Sequence, residues 1–244
     1  MTPKLTLHVL ASSPPCKTVE AALRVKGLDA EIVALMPGPH NEEMIAIYGE
    51  GHHTVPGLVV DGEPVHGSVA ILERLEQLVP QPSLYPAPIA DAVHQAERWG
   101  EAELQDLGRS LSWGALHFRP ESMATFAGAD PLDPAGTDFA IRFLRGAWRY
   151  NGITAEGLAA DLAGLPAKLD HIDALARDGT VGGAQPTAAD LQIGATLRVL
   201  LTIGDVRPLI EGRPAEQVAR RWFADYPGDV PAGAFPAGWV PSAG

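Results

Sequence analysis

The chain of 244 residues has a single cysteine, Cys16, and no long uninterrupted apolar run. One cysteine excludes an intramolecular disulfide, which is typical of proteins from a reducing compartment. The apolar runs are too short to cross a bilayer, and the first residues lack the pattern of a signal peptide. We therefore expect a cytoplasmic protein with no membrane partner.

Positive charge is also scarce. The chain has 18 Lys and Arg against 30 Asp and Glu, which gives a formal net charge of −12 at pH 7. A surface of that sign repels phosphate backbones and anionic lipid headgroups. The composition thus argues against nucleic acid as a partner.

Histidines cluster between residues 40 and 66, which raises the question of a metal site. The four are His40, His52, His53 and His66. The adjacent pair does not have the spacing of two ligands on one face, and no set of cysteines or carboxylates accompanies it. We therefore predict no metal site.

Strand and helix signals alternate through the first eighty residues. Residues 5–10 have the character of a buried strand, an amphipathic helix is predicted from about residue 16 to residue 26, and residues 31–35 form a second strand. A strand, helix and strand of this length make one right-handed crossover with a parallel pair. A short helix is predicted over 42–48.

Residues 54–68 combine a hairpin, a proline and a helix start. Strands at 58–60 and 64–66 flank the turn signal Asp61-Gly62. Ser68 is predicted to be the N-cap of the next helix, whose first N–H groups offer a site for a carboxylate. Pro56 is a candidate cis proline, in which case the N–H and C=O of Val55 would face outward toward an extended ligand.

Beyond a proline-rich linker at 80–88 the strand signals end. Helical patterns cover 89–111, 138–150, 158–176, 188–202 and 215–224. Thr187 is predicted to cap the fourth of these, with Asp190 completing a capping box. The predicted domains are residues 1–79 and 89–226, followed by a Pro/Gly/Ala-rich tail at 227–244 that no pattern places.

The βαβ-α-ββα order resembles the thioredoxin-like domain of glutathione transferases and glutaredoxins, and the helices behind it resemble the all-α domain of glutathione transferases. The Thr187 to Asp190 segment resembles a helix-start motif of the same family. The resemblance implies an α+β domain with a four-stranded mixed sheet, followed by an all-α bundle. It also implies a homodimeric enzyme that joins glutathione, or another small thiol as cosubstrate, to a small electrophile.

The resemblance places the reactive group at the turn before the first helix, where Ser13 precedes two prolines. A hydroxyl there donates a hydrogen bond to a bound thiolate, and the helix start adds partial positive charge. Ser12 is the competing donor. The run from Ser13 to Cys16 looks like the Cys-Pro-x-Cys of glutaredoxins with serine first, so a thiol-disulfide or deglutathionylating reductase using Cys16 is one alternative, and a non-catalytic binding protein is another.

The same resemblance assigns the thiol pocket. Val55 and Pro56 match the pair whose backbone holds the cysteinyl part of glutathione, and Ser68 matches the serine that binds the γ-glutamyl carboxylate. Gly67 stands where the family usually has the Glu or Asp that faces the γ-glutamyl ammonium, which leaves the identity of the thiol open. His53, or His52, is a candidate for the glycyl carboxylate. The candidates for the electrophile wall are Trp99, Trp113, His117, Phe118, Arg119 and Tyr150.

Overall fold

A computed structural model of the chain describes residues 3–242. The first part contains four strands and three α-helices in the predicted order. They are β1 Leu5–Val9, α1 Pro14–Lys26, β2 Glu31–Ala34, α2 His40–Tyr48, β3 Gly57–Val60, β4 Glu63–His66 and α3 Ser68–Leu78.

The strands form one mixed sheet in the order β2-β1-β3-β4. β1 is parallel to β2 and antiparallel to β3, with Leu7 between Ile32 and Leu58. The hairpin turn of β3 and β4 lies at Asp61 and Gly62, both with positive φ. The four-stranded mixed sheet predicted from the sequence is therefore confirmed.

The first helix begins earlier than the sequence pattern predicts. Pro14 and Pro15 occupy its first turn, where the N–H groups that proline lacks would have no intrahelical partner. Gly27 ends the helix in the left-handed conformation, with φ of 63°. The start at Pro14 places Ser13 directly at the end of the helix.

The prediction that Ser68 caps α3 is wrong by one residue. Gly67, at φ 89°, is the N-cap, and Ser68 is the first helical residue without a side-chain capping bond. A φ of this sign favours glycine, and the Gly67 N–H donates to the Pro56 carbonyl at 3.0 Å. This bond holds the start of α3 beside Pro56.

Residues 87–222 are mainly helical. The elements are a 3₁₀ turn at Ala87–Ile89, α4 Ala90–Trp99, a π-helical turn at Gly100–Leu104, α5 Gln105–Phe118, a 3₁₀ helix at Pro120–Ala127, α6 Pro134–Tyr150, α7 Ala155–Arg177, α8 Ala188–Leu200, α9 Arg207–Ile210 and α10 Pro214–Trp222. The predicted helix over 89–111 runs on to Phe118, and the sequence patterns gave no sign of α9 or of the 3₁₀ helices. None of the helices between residues 3 and 242 is long and apolar enough to cross a membrane.

Helix α8 lies at the centre and joins the two parts. Its predicted capping box is confirmed, because Thr187 and Asp190 bind each other's backbone N–H groups. Every residue of α8 except Arg198 is buried, and α1 packs on it, with the Thr18 hydroxyl 3.1 Å from the Leu191 carbonyl. One continuous apolar core therefore extends from the sheet to α10.

The Pro/Gly/Ala-rich tail packs against the helical part as far as it is described. Val230 pairs with Ile203 in an isolated bridge, and the N–H groups of Gly233 and Phe235 donate to the Asp205 carboxylate. Arg119 donates to the Gly233 carbonyl at 2.6 Å. The tail thus gains order from contacts with residues that precede it by up to about a hundred positions, which local patterns do not encode.

Candidate active site

The turn between β1 and α1 carries Ser13 at the N-cap position. Its backbone is extended, with φ −79° and ψ 120°, yet its side chain makes no capping hydrogen bond. The backbone of Ser13 is fixed on both sides, since its N–H donates to Leu10 and its carbonyl accepts from Lys17, both at 3.0 Å. The backbone that carries the hydroxyl is therefore held in place, and the hydroxyl itself is not used to end the helix.

The neighbouring hydroxyl of Ser12 is used differently. It donates to the carbonyl of Phe126, in the 3₁₀ helix of the helical part. The Ser12 carbonyl in turn accepts from the Tyr226 hydroxyl at 2.8 Å. Because the proton of the Ser12 hydroxyl is already donated within the protein, the arrangement favours Ser13 over Ser12 as a donor to a ligand.

Cys16 is fully buried. Burial raises the pKa of its thiol to about 12, against smaller opposing effects of the neighbouring Ser13 side chain and the Leu10 backbone. A reactive cysteine needs exposure and a lowered pKa. The position of Cys16 therefore favours a structural role in the first turn of α1.

Pro56 and the start of α3, two parts of the predicted thiol pocket, lie side by side, because the Gly67 N–H donates to the Pro56 carbonyl. The Val55–Pro56 peptide bond is cis, and the backbone of Val55 forms no hydrogen bond with other backbone groups of residues 3–242. Ser68 is only 2% exposed. A Cβ atom at Gly67 would meet nothing within 4 Å, so the space beside the start of α3 is open.

Gln105 is a residue of this site that the sequence analysis missed. Its Nε2 atom lies 3.5 Å from the Ser68 hydroxyl, which brings the first residue of α5 to the start of α3. Glu101 lies four residues earlier in the π-helical turn, and burial raises the pKa of its carboxyl group. Only a prediction of how α3 and α5 pack together could have found the contact between Gln105 and Ser68, because the two residues are far apart in sequence.

Two of the clustered histidines meet next to Val55. The Nδ1 atoms of His52 and His66 are 3.1 Å apart, and His66 Nε2 lies 2.8 Å from the Thr54 carbonyl. His53 is exposed beside them. Within residues 3–242 no group of three or more His, Cys, Asp or Glu is arranged to hold a metal ion.

The candidate electrophile wall divides into separate places. His117 and Phe118 form one cluster with Trp148, Phe235 and Trp239, of which the last two belong to the tail. Arg119 binds Gly233 in the same stretch of the tail. The other candidates make different contacts: Trp99 contacts His171, Trp113 contacts Phe143, and the exposed Tyr150 accepts from Asn41 of α2 at 2.7 Å. Among residues 3–242 the structure thus brings His117, Phe118 and Arg119 to one place.

A cavity of about 460 Å³ lies between α5 and α7, away from the Ser13 turn. Four of its five charged side chains form ion pairs, Lys168 with Glu103 at 2.8 Å and Arg109 with Asp106. Groups that satisfy each other leave little for a ligand to bind. We therefore place the candidate site at the turn.

Comparison with known proteins finds relatives of this fold. Residues 7–83 match the sequence model of the glutathione S-transferase N-terminal domain, whereas no curated protein sequence matches the chain. Among solved structures, a glutathione S-transferase from Rhodospirillum rubrum is 23% identical, with a TM-score of 0.57 over 94% of this chain and 97% of that one. The beta-etherase LigF from Sphingobium sp. is 21% identical, with a TM-score of 0.61 over 92% and 99%.

A rice glutathione S-transferase solved in complex with glutathione is 19% identical, with a TM-score of 0.56 over 91% of this chain and 84% of that one. A thioredoxin-like sheet followed by an all-α region is the glutathione S-transferase fold, and it extends over nearly the whole chain. Residues 7–83 therefore match the N-terminal domain of the glutathione S-transferase family, and the chain as a whole has the glutathione S-transferase fold.

Proposed function

We propose that the protein is an enzyme of the glutathione transferase type, which joins a small-molecule thiol, glutathione, to a small electrophile. The observation that carries the proposal is the Ser13 hydroxyl. It sits at the start of α1, a helix that packs against α3, and makes no capping bond. Helix starts that leave donors unpaired are suited to bind anions.

The residues around the turn suggest a role for each part of the thiol. The γ-glutamyl carboxylate binds the N–H groups at the start of α3 and the Ser68 hydroxyl, and the cysteinyl backbone pairs with the free N–H and C=O of Val55. This orientation directs the sulfur toward Ser13. His53 is the candidate partner of the glycyl carboxylate.

Ser13 then stabilises the reactive form of the cosubstrate. Its hydroxyl donates a hydrogen bond to the thiolate, which favours the charged form and lowers the thiol pKa. The thiolate is the nucleophile. In a substitution its sulfur forms a bond to carbon as the leaving group departs with the bonding electron pair, and in an addition the electrophile accepts the electrons and then a proton.

The ammonium of glutathione needs a partner other than residue 67. The carbonyl of the Gln105 side chain and the Glu101 carboxylate lie on the helix that faces the start of α3. We assign the ammonium to these two groups. Their position in the helical part would also tie the two parts of the chain together when the thiol binds.

The proposal includes a cytoplasmic homodimer, as the family resemblance implies. A surface with exposed apolar side chains supports self-association: Ile32 is 51% and Met36 is 70% exposed, on β2 and the segment before α2. Burial of such side chains is the usual driving force of association. Analytical ultracentrifugation of the wild type and an Ile32→Lys variant tests this part.

The reductase alternative receives no support from the geometry. It requires Cys16 to attack a disulfide, and the thiol is buried and protonated. A binding protein without catalysis differs from an enzyme in one respect only: the thiol would bind without becoming ionised.

The decisive experiment separates binding from ionisation. Calorimetric titration with glutathione measures affinity, and the ultraviolet absorbance of the thiolate against pH measures the pKa of the bound thiol. An enzyme of this type binds glutathione, lowers its pKa and conjugates it to an aryl halide. Binding without a lowered pKa indicates a binding protein, and no binding at millimolar glutathione would exclude glutathione as the cosubstrate.

A further inference from the structure

We propose that Tyr226 is a positioning residue of the reactive turn, and that the segment after α10 is thereby a working part of the site. This inference rests on the proposed function, since it concerns the placement of Ser13. It goes beyond that function because it assigns a role to a residue outside the match to the N-terminal domain, which ends at residue 83.

The contact itself is direct. The Tyr226 hydroxyl donates to the Ser12 carbonyl at 2.8 Å, across 214 positions of sequence. The side chain is only 8% exposed, so water competes little for this bond. The carbonyl of Ser12 belongs to the peptide unit that leads into Ser13, and its orientation helps to set where the Ser13 side chain points.

Tyr226 is itself held in place from α8. Arg198 Nε donates to the Phe223 carbonyl at 2.8 Å, and Arg198 Nη2 donates to the Ala224 carbonyl at 3.0 Å. Burial raises the pKa of Tyr226 well above its usual value, so the hydroxyl keeps its proton and remains a donor. The direction of the bond to Ser12 is therefore the same at all physiological pH values.

A second tie holds Ser12 from the 3₁₀ helix. The Ser12 hydroxyl donates to Phe126, and Thr125 exchanges hydrogen bonds with the backbone of Asp229. The Phe126 ring also lies against Gly228, where it occupies the place of a Cβ atom. We call Ser12, Phe126 and Tyr226 the Ser12 clamp. Phe126 and Tyr226 are linked through Gly228 and Asp229, which follow Tyr226, so the turn is held as one unit.

The purpose of such a clamp follows from the chemistry. A hydroxyl that stabilises a thiolate must lie at hydrogen-bond distance from the sulfur, and misplacement by about 1 Å costs up to roughly a hundredfold in rate. The start of α1 does not supply this precision, because the Ser13 side chain makes no capping bond. The clamp supplies it from the helical part.

The test compares two tyrosines in the full chain. Tyr226→Phe removes the hydroxyl that binds Ser12, and Tyr85→Phe removes another largely buried hydroxyl, which donates to Glu97 at 2.9 Å. For Tyr226→Phe we expect kcat and the thiolate fraction of bound glutathione at neutral pH each to fall about tenfold. The KM for glutathione should change less than about twofold. Tyr85→Phe should lower stability while leaving kcat and the thiol pKa unchanged.

A wild-type thiol pKa and kcat in a folded Tyr226→Phe protein would overturn the inference while leaving the proposed function intact. Equal losses in both variants would also overturn it, since the effect would then be general. If Tyr226→Phe does not fold, Arg198→Lys loosens the same segment and should lower kcat about threefold; an unchanged kcat there counts against the clamp. Failure of the wild type to bind any thiol overturns the proposed function and this inference together.

Discussion

The starts of α8 and α1 are alike in position and different in what their side chains bind. At α8 the Asp190 carboxylate accepts from Gly182 at 2.6 Å and from the Thr187 N–H at 2.9 Å, and Thr187 binds the Asp190 N–H. At α1 the Ser13 side chain makes no capping bond. The first start is closed, because its groups bind each other, and the second is open.

The start of α3 belongs with the open class. Gly67 provides no side chain, and Ser68 has only a long contact with Gln105. A closed start stabilises the fold and has nothing left for a ligand, whereas an open start gives up capping energy of about 1 kcal/mol and keeps its donors available. The comparison predicts that mutations at closed sites change stability and that mutations at open sites change activity.

The largest effect should come from Ser13→Ala. Loss of the donor to the thiolate should lower kcat/KM for conjugation about a hundredfold, as for other groups that stabilise a developing or reactive charge. Stability should stay nearly constant, since the hydroxyl caps nothing. Steady-state kinetics and denaturant unfolding measure the two quantities. Cys16→Ala is the matched control and should keep its activity; the reverse result would favour the reductase.

The next largest effect should come from the buried carboxyl group of Glu97, and it should concern stability alone. Burial raises the pKa of Glu97 to about 8, with the hydrogen bond from Tyr85 acting in the opposite direction. Between pH 4.5 and 8 the folded state keeps a proton that the unfolded state releases, so stability falls by up to about 1.4 kcal/mol per pH unit as the pH rises.

Glu97→Gln should remove this decline and make the protein more stable than the wild type at pH 8. Urea unfolding at a series of pH values measures it. Glu73→Gln, which changes an exposed neighbour on α3, serves as the control. If both variants keep the wild-type slope, Glu97 is already ionised in the folded state.

Thr187→Ala tests the closed start of α8. The change should cost about 1 kcal/mol of unfolding free energy, because the capping box is lost. Activity per folded molecule should not change. Thr187→Ser keeps the hydroxyl and should recover most of the stability. A lower kcat in fully folded Thr187→Ala protein would contradict the prediction that mutations at closed helix starts change stability and not activity.

The smallest effect should come from Gln105→Leu. Removal of the carbonyl proposed to face the ammonium should weaken glutathione binding about fivefold. Glutathione acetylated at that nitrogen carries no ammonium, so the wild type and the Gln105→Leu variant should bind it with the same affinity. Calorimetry with both ligands gives the ratio, and the exposed Gln95→Leu is the control. Equal weakening of the two ligands would assign Gln105 to packing.

The features that the sequence predicted depend on neighbouring residues, and those that it missed depend on contacts between distant residues. The strands, the hairpin at Asp61-Gly62 and the capping box at Thr187 depend on residues close in sequence, and all three were predicted. The contacts of Gln105 with Ser68 and of Tyr226 with Ser12 join distant residues, and no local pattern encodes them. Ser68 was misplaced by one residue because the unusual φ of Gly67 depends on its bond to Pro56.

The bond between Tyr226 and Ser12 also has a consequence for the timing of synthesis. Chains fold from the N-terminus as they leave the ribosome, so the sheet can form while most of the helical part is still being made. Ser12 therefore gains its hydrogen bond from Tyr226 only after another 214 residues have been translated. The nascent protein would acquire its thioredoxin-like shape early and its ordered reactive turn only after Tyr226 has been made, which would keep chains that stop before Tyr226 inactive.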